Sequence, residues 1–328
     1  MLSIRPFRNE DPPRLVELWR KCRYSNPQQQ TLAHLSLNQL QAQVFGLPMT
    51  DTRCVMLAVD GSEPVGYVHT ALAPVGDGSQ PGNTTGHICF LCAAPAYHDK
   101  KKVVAGLITA AEKYLSGCGV QEIFGGSPTP SAPFYTGFYG GGESVAVLQS
   151  DTDIVQGFLD AGYIIHQKTV WFHLDIRDYE PPAMTDVLQW MHIVTIELNE
   201  TPRAKSWWEG CILANGQWVE ATAYSNETSR AIARVRIRIA CPDAAEDFAM
   251  YGGSWTASLM DIRVHPDFRH KGVATFLLAE LLQHLIARRQ IMQIDAHIAE
   301  DSIAVYALLN ALNWEQKETG FIFFKPIH

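Results

Sequence analysis

The 328-residue sequence predicts a mixed α/β fold present twice in tandem, each copy a central mixed sheet with helices on both faces. Three observations lead there. The chain is too long for one small core and suits two of roughly 150 residues each. The first half reads β-α-α-β-β-β-α-β-α-β, and the second half repeats its end. Pro95-Ala96-Tyr97 is matched by Pro266-Asp267-Phe268, and the stretch Phe158 to Tyr163 by Leu309 to Trp314, each pair in the same order of strand, turn, helix, strand and helix.

The elements follow from periodicity. A strand over 4–7 precedes a helix in which Leu15, Leu18 and Trp19 recur at helical spacing after Asp11-Pro12-Pro13, and a second helix covers 35–45. Strands at 55–59, 65–72 and 87–93 are separated by turn-rich stretches. An amphipathic helix over 103–115, a strand at 121–124, a helix at 154–161 and a pair of strands within 163–174 close the first copy. The pattern stops around Pro181-Pro182, which sets the copies at 1–175 and 176–328. In the second copy, strands at 231–240 and 257–264 lead to a helix over 273–288, a strand at 291–296, a helix at 302–312 and a final strand at 321–325. The first copy is about twenty residues longer between the matched points, and the Gly/Pro/aromatic stretch 125–144 accounts for them.

Composition narrows the function. Hydrophobic residues at 47% and charged residues at 18% describe an ordinary globular protein. With 34 acidic against 26 basic residues there is no basic stripe for nucleic acid, only two short clusters, 98–102 and 263–271, that suit a small anionic ligand. Neither a secretory signal nor an apolar run long enough for a membrane span is present, which predicts a cytoplasmic protein. Seven cysteines at irregular spacing agree with free thiols. Cys89 and Cys92 form a lone C-x-x-C within an apolar strand. Positions three apart on a strand face opposite sides, so core packing is expected there and no metal.

The chemistry concentrates after the strand Leu259 to Val264. Arg269-His270-Lys271-Gly272-Val273-Ala274-Thr275 runs directly into an apolar helix. A loop that opens a helix presents backbone N–H groups without internal partners at the positive end of the helix dipole, a site for phosphate oxygens. Gly272 and Ala274 let a pyrophosphate approach the backbone, and Arg269 and Lys271 add charge-assisted contacts. The bland alternative is a basic residue and a glycine that merely start a helix.

In this context the stretch resembles the GNAT acetyltransferase superfamily, whose coenzyme A loop has Arg or Gln, two residues, Gly, one residue, then Gly or Ala. Arg269 to Ala274 matches that form. The resemblance implies acetyl-CoA as cosubstrate, no metal, and a small-molecule or peptide amine as acceptor. It also implies that the strand before the loop splays from its neighbour, so that Ile262, Arg263 and Val264 bind pantetheine and direct an N–H at the thioester carbonyl, where charge develops as the amine attacks. The first copy has His98-Asp99-Lys100-Lys101-Lys102-Val103 in place of the loop, with lysine where glycine belongs, and reads as a structural or substrate-shaping half.

Acetyl transfer needs a base for the amine and is helped by an acid for the thiolate. The family's base and acid positions hold Ser258 and Leu309 here, and neither can do that work. The substitutes are Asp261 as base, with a salt-bridged structural carboxylate as its alternative, and Tyr306 as acid, with a packed core tyrosine as its alternative. In the first copy His87 and Phe158 take the two positions. Trp207, Trp208 and Trp218 read as core rather than pocket, and 133–143 as a shaped aromatic loop. The expected function is N-acetyl transfer by direct attack. The other reading of the same fold is a non-catalytic acyl-CoA-binding or scaffolding protein.

Overall fold

The computed structural model describes residues 1–26, 35–126, 131–135, 146–177, 179–180, 187, 189–214, 216–240, 255–288 and 291–327. The first copy contains β1 (Leu2–Pro6), α1 (Pro12–Tyr24), α2 (Leu37–Leu40), β2 (Val55–Asp60), β3 (Glu63–Pro74), β4 (Pro81–Ala93), α3 (Lys100–Gly117), β5 (Glu122–Gly125), β6 (Val147–Leu148), α4 (Thr152–Asp160) and β7 (Ile164–Asp175). The second contains α5 (Trp190–Ile193), β8 (Val194–Asn199), α6 (Trp207–Leu213), β9 (Gln217–Ser225), β10 (Ala231–Ala240), β11 (Trp255–Val264), α7 (Val273–Arg288), β12 (Ile291–Ala299), α8 (Ile303–Ala311) and β13 (Glu315–Pro326).

The central sheets of the two copies are joined: the strands form one 13-stranded sheet, ordered β1-β2-β3-β4-β5-β13-β7-β12-β11-β10-β9-β8 with β6 beside β13. The copies exchange their last strands. β13, from the second copy, pairs with β5 of the first, while β7, from the first, pairs with β12 of the second, and β7 and β13 lie antiparallel at the centre. Each last strand was read as shorter or as a pair of strands. Both are instead single strands of 12 residues, because each must span partners on two sides and carries its irregularities as bulges rather than a turn.

Burial follows the exchange. Val170, Phe172 and Leu174 of β7 lie in the core under α7, whereas Phe321 and Phe323 of β13 lie in the core under α3 and α4, where Phe323 stacks on Phe158 at 4.8 Å. Full burial of such a side chain is worth about 2 kcal/mol. The helix α3 forms because Val103, Val104, Leu107, Ile108, Ala111 and Leu115 recur on one buried face. On the opposite side of the sheet, α1 buries Leu15, Leu18 and Trp19 in a third core.

The sequence reading missed β8, α6 and β9, short or mixed segments in which polar residues alternate with Trp208, Trp218 and Ala221. Cys89 and Cys92 are buried in the same core rather than on opposite faces, since the β3–β4 ladder shifts register between His69 and Thr70 and resets the alternation. The Pro181-Pro182 linker and most of the aromatic loop lie outside the described residues; Phe134 and Tyr135 of that loop are fully buried. No helix among the described residues is long and apolar enough to cross a membrane.

Residues 1–175 and 176–328 produced separately should each fail to fold cooperatively, since each lacks a central strand, and should recover a single unfolding transition when co-expressed. Size-exclusion chromatography with thermal melts followed by circular dichroism checks this.

Candidate functional site

The parallel ladder between β11 and β12 runs from Trp255↔Ile291 to Leu259↔Ala296 and then ends, while β11 stays paired with β10 as far as Val264. The β10–β11 register shifts between Arg236 and Ile237, leaving Met260 as an extra residue. The backbone of 260–264 therefore has a vacated edge on the side from which β12 has departed, the splay that the resemblance implied.

A cleft of about 1120 Å³ opens at this gap. Ile262, Arg263 and Val264 line it, as do Arg269, His270, Gly272, Val273, Ala274 and Thr275, so the structure brings these predicted binding residues together around one space. Lys271 holds the loop from outside the lining: its carbonyl accepts a hydrogen bond from Trp190 Nε1 at 2.8 Å, and its Nζ lies 5.8 Å from the centre of the Phe268 ring. Arg269 donates through Nε to the Val264 carbonyl, tying the loop to the end of β11.

His270 and Gly272 both adopt left-handed backbone, at φ 58° and 79°. That conformation turns successive N–H groups toward one side as the chain enters α7, and among the described residues the backbone N–H groups of Gly272, Val273 and Ala274 have no hydrogen-bond acceptor. A Cβ on Gly272 would meet Val187 at 3.6 Å and Trp190 at 3.8 Å, ordinary contacts. The requirement for glycine is therefore conformational as well as a matter of ligand approach. Trp190 was not singled out from the sequence; a lone tryptophan just past a Pro-rich linker gives no signal of what it will pin.

On the other face of the sheet the cleft meets Glu220, Thr222 and Tyr224, alternate residues of β9, and Arg234 of β10. Their neighbours Ala221, Ala223 and Val235 point the opposite way into the core under α7. These side chains belong to a ladder of alternating charge. Arg236 donates to both Glu209 and Glu220, Arg234 approaches Glu220 and pairs with Asp261, and Arg263 pairs with Asp261. Burial pushes the Glu209 carboxyl up, but the Arg236 hydrogen bond and charge leave it below its usual value. Glu220 was missed because a single glutamate in an unrecognised strand carries no pattern.

The catalytic candidates read from the sequence are not brought to this cleft. Asp261 does not line it, and its carboxylate is occupied by Arg234 at 2.9 Å and Arg263 at 2.9 Å, the ion-paired alternative. Tyr306 does not line it either: its hydroxyl donates to Gln316 Oε1 at 2.9 Å and its ring meets Phe172 edge-on. Ser258 and Leu309 are buried, Ser258 Oγ donating to the Asp295 carbonyl. Trp208 and Trp218 are buried, and Trp207 is half exposed. Among the described residues no group of three or more His, Cys, Asp or Glu is placed to hold a metal ion.

The first copy parts its strands too, β4 leaving β5 after Ile88↔Gly125. There the helix start is satisfied from within, Asp99 accepting from the Lys102 N–H. The gap is occupied by the buried Arg23, ion-paired to Asp151 at 3.2 Å and stacked over Trp19, and Lys100 pairs with Asp153. The remaining cavity is about 390 Å³. His87, at the base position of this copy, is buried, and burial holds it neutral, its pKa pushed down to about 4.

Residues 177–311 match the model of the Acetyltransferase (GNAT) family. Among curated protein sequences none matches the chain. Among solved structures, a tandem GNAT protein from the clavulanic acid biosynthesis pathway superposes with a TM-score of 0.70 at 13% identity over 99% of this chain and 98% of that one. A GCN5-related N-acetyltransferase from Sphaerobacter thermophilus does so at 0.66 and 13% identity, over 99% and 95%. A glucosamine N-acetyltransferase region of a fungal multi-domain GH3 β-N-acetylglucosaminidase reaches 0.68 at 14% identity, over 99% of this chain and 38% of that one. The likeness to these structures is one of fold. The match to the Acetyltransferase (GNAT) family model thus lies within the second copy, and the chain as a whole has the fold of tandem GNAT proteins.

Two outcomes follow. Gly272→Val should raise the acetyl-CoA dissociation constant by about 100-fold or more, since several charge-assisted contacts are lost together, and Trp190→Phe by about fivefold, one hydrogen bond's worth; calorimetric titration with unchanged far-UV circular dichroism checks both. His69 is also buried, its pKa pushed down to about 3, against an ordinary value of 6.5. Protons that the unfolded chain takes up below pH 6.5 are refused by the folded histidines down to pH values near 3 and 4. Urea denaturation should therefore show stability falling as pH drops below 6.5, by on the order of 1 kcal/mol per pH unit for each histidine, and replacing both by Phe should flatten the slope.

Proposed function

We propose that the chain is an N-acetyltransferase that moves acetyl from acetyl-CoA to an amine by direct attack, with the working site in the second copy. The observation that carries this reading is the cleft where β11 leaves β12. It meets the glycine-bearing start of α7 on one face of the sheet and the carboxylate of Glu220 on the other.

In this proposal the phosphates of the cosubstrate rest on the N–H groups of 272–275 beside Arg269 and Lys271, and pantetheine follows the vacated edge of Ile262, Arg263 and Val264. The thioester carbonyl then faces a backbone N–H in the gap, which stabilises the oxyanion as the amine attacks. The N–C bond forms, the C–S bond breaks, and the proton from nitrogen passes directly or through water to Glu220, whose two arginine contacts both fall on Oε2, whereas those of Asp261 take both of its oxygens. The thiolate takes its proton from solvent, as Tyr306 is turned toward Gln316. Asp261 orders the arginines beside the acceptor rather than taking a proton. Buried cysteines outside any disulfide, such as Cys54, Cys92 and Cys211, support a cytoplasmic setting.

The second reading, an acyl-CoA-binding or scaffolding protein, is favoured by one specific observation: the family's base and acid positions hold the buried Ser258 and Leu309. A thiol-release assay with a panel of primary amines, run beside calorimetric binding of acetyl-CoA, separates the two. Turnover is expected; binding without turnover across the panel would favour the scaffold. Glu220→Gln should lower kcat/KM for the acceptor by about 100-fold at unchanged acetyl-CoA affinity, while Tyr306→Phe should leave kcat within about twofold.

A further inference from the structure

Copy one touches copy two beside its cleft. The β3–β4 hairpin extends past Pro74↔Pro81 to a tip in which Gly78 N–H donates to the Val75 carbonyl and Ser79 N–H to Asp77 Oδ1. That tip lies against the start of α6, where the Trp208 N–H donates to the Gly78 carbonyl at 2.9 Å. Gly78 has φ 68°, and a Cβ there would stand 2.7 Å from Ser206 Oγ, closer than any side chain tolerates. Only glycine fits this contact.

Ser206 is the N-cap of α6, its Oγ accepting from the Glu209 N–H at 3.1 Å. Glu209 is fixed on its other side by the Lys205 N–H at 2.6 Å, and through Oε1 it accepts from Arg236 at 2.8 Å. Arg236, largely buried, donates its Nε to Glu220, which lines the cleft. The tip meets α6 through the Trp208–Gly78 hydrogen bond and the packing of Gly78 on Ser206, and from Ser206 to the cleft carboxylate each link is a cap or a direct hydrogen bond, the last between the adjacent strands β10 and β9. A satisfied network of polar contacts rigidifies its members, so a displacement at one end can be passed to the other.

We infer that the β3–β4 hairpin of the first copy is a positioning element for the acceptor site of the second, acting from Gly78 through Ser206, Glu209 and Arg236 on Glu220. This rests on the reading of Glu220 as the acceptor-facing carboxylate. It gives the first copy, whose own gap is filled by Arg23 and Asp151, a part in the reaction.

The test compares the full-length protein with Gly78→Val, Gly78→Ala as the milder step should the first fold poorly, and Glu209→Gln. Seating of the hairpin is read by hydrogen exchange at the Trp208 amide, and the geometry at Glu220 by the carbon resonance of its side-chain carboxyl. Gly78→Val should speed exchange at Trp208 and move the Glu220 resonance in the direction seen in Glu209→Gln. It should also lower kcat/KM for the acceptor about tenfold, chiefly through kcat, with acetyl-CoA affinity unchanged. A Glu220 resonance that stays in place while the Trp208 amide loses protection overturns the inference. So does a loss of acetyl-CoA affinity equal to the change in kcat/KM, which would mark general damage. If the unmodified protein turns over no amine, the acetyltransferase reading fails on its own, and the Glu220 resonance still decides whether the hairpin controls that side chain.

Discussion

Where β11 ceases to pair with β12, after Leu259↔Ala296, the sheet gives up ladder hydrogen bonds in its middle, and most of the second copy is arranged around that loss. An unpaired backbone edge inside a protein is costly unless something satisfies it. The Met260 bulge turns β11 away so that the freed groups of 260–264 face a cleft rather than a core, and Arg269 ties the end of the strand to the loop that follows. The first copy meets the same constraint between β4 and β5 and resolves it internally. Arg23, Asp151 and the capping carboxylate of Asp99 take the places that a ligand would take. Two copies of one fold therefore reach opposite outcomes through a few side chains.

The exchange of last strands joins these outcomes. Because β13 completes the first copy's sheet and β7 the second's, the gap between β11 and β12 is braced by a strand that belongs, in sequence, to the other half. The central β7–β13 pair is buried through Phe172 on one side and Phe321 and Phe323 on the other. The central pair that braces β12 is thus packed into both cores.

Charge on the open face is organised with the same economy. Glu209, Arg236, Glu220, Arg234, Asp261 and Arg263 alternate in sign across α6 and three strands, so each partly buried charge has an opposite neighbour. Such a ladder compensates the desolvation of its members and fixes their rotamers, and its value here is geometric more than energetic. Within it, Glu220 combines a place on the cleft with a rigid mounting, which is what a proton acceptor or an ammonium partner requires.

Local information determined a good deal. Gly272 after Arg269, at the junction of an apolar strand and an apolar helix, marked the left-handed turn that opens α7, because turn and helix-start chemistry depends on neighbours a few residues apart. The helices over 103–115 and 273–288 and the strand 257–264 were legible for the same reason, their periods being written in contiguous residues. The tertiary structure alone decided what depends on residues far apart in the chain. It put β13 beside β5 and set Trp190 on the carbonyl of Lys271. It turned Tyr306 toward Gln316 and Asp261 into the grip of two arginines, and it brought Glu220 to the cleft. Strand order and the direction of a single side chain arise from competition among all the partners within reach, and a one-dimensional pattern records which residues are suited to pair but not which of them meet.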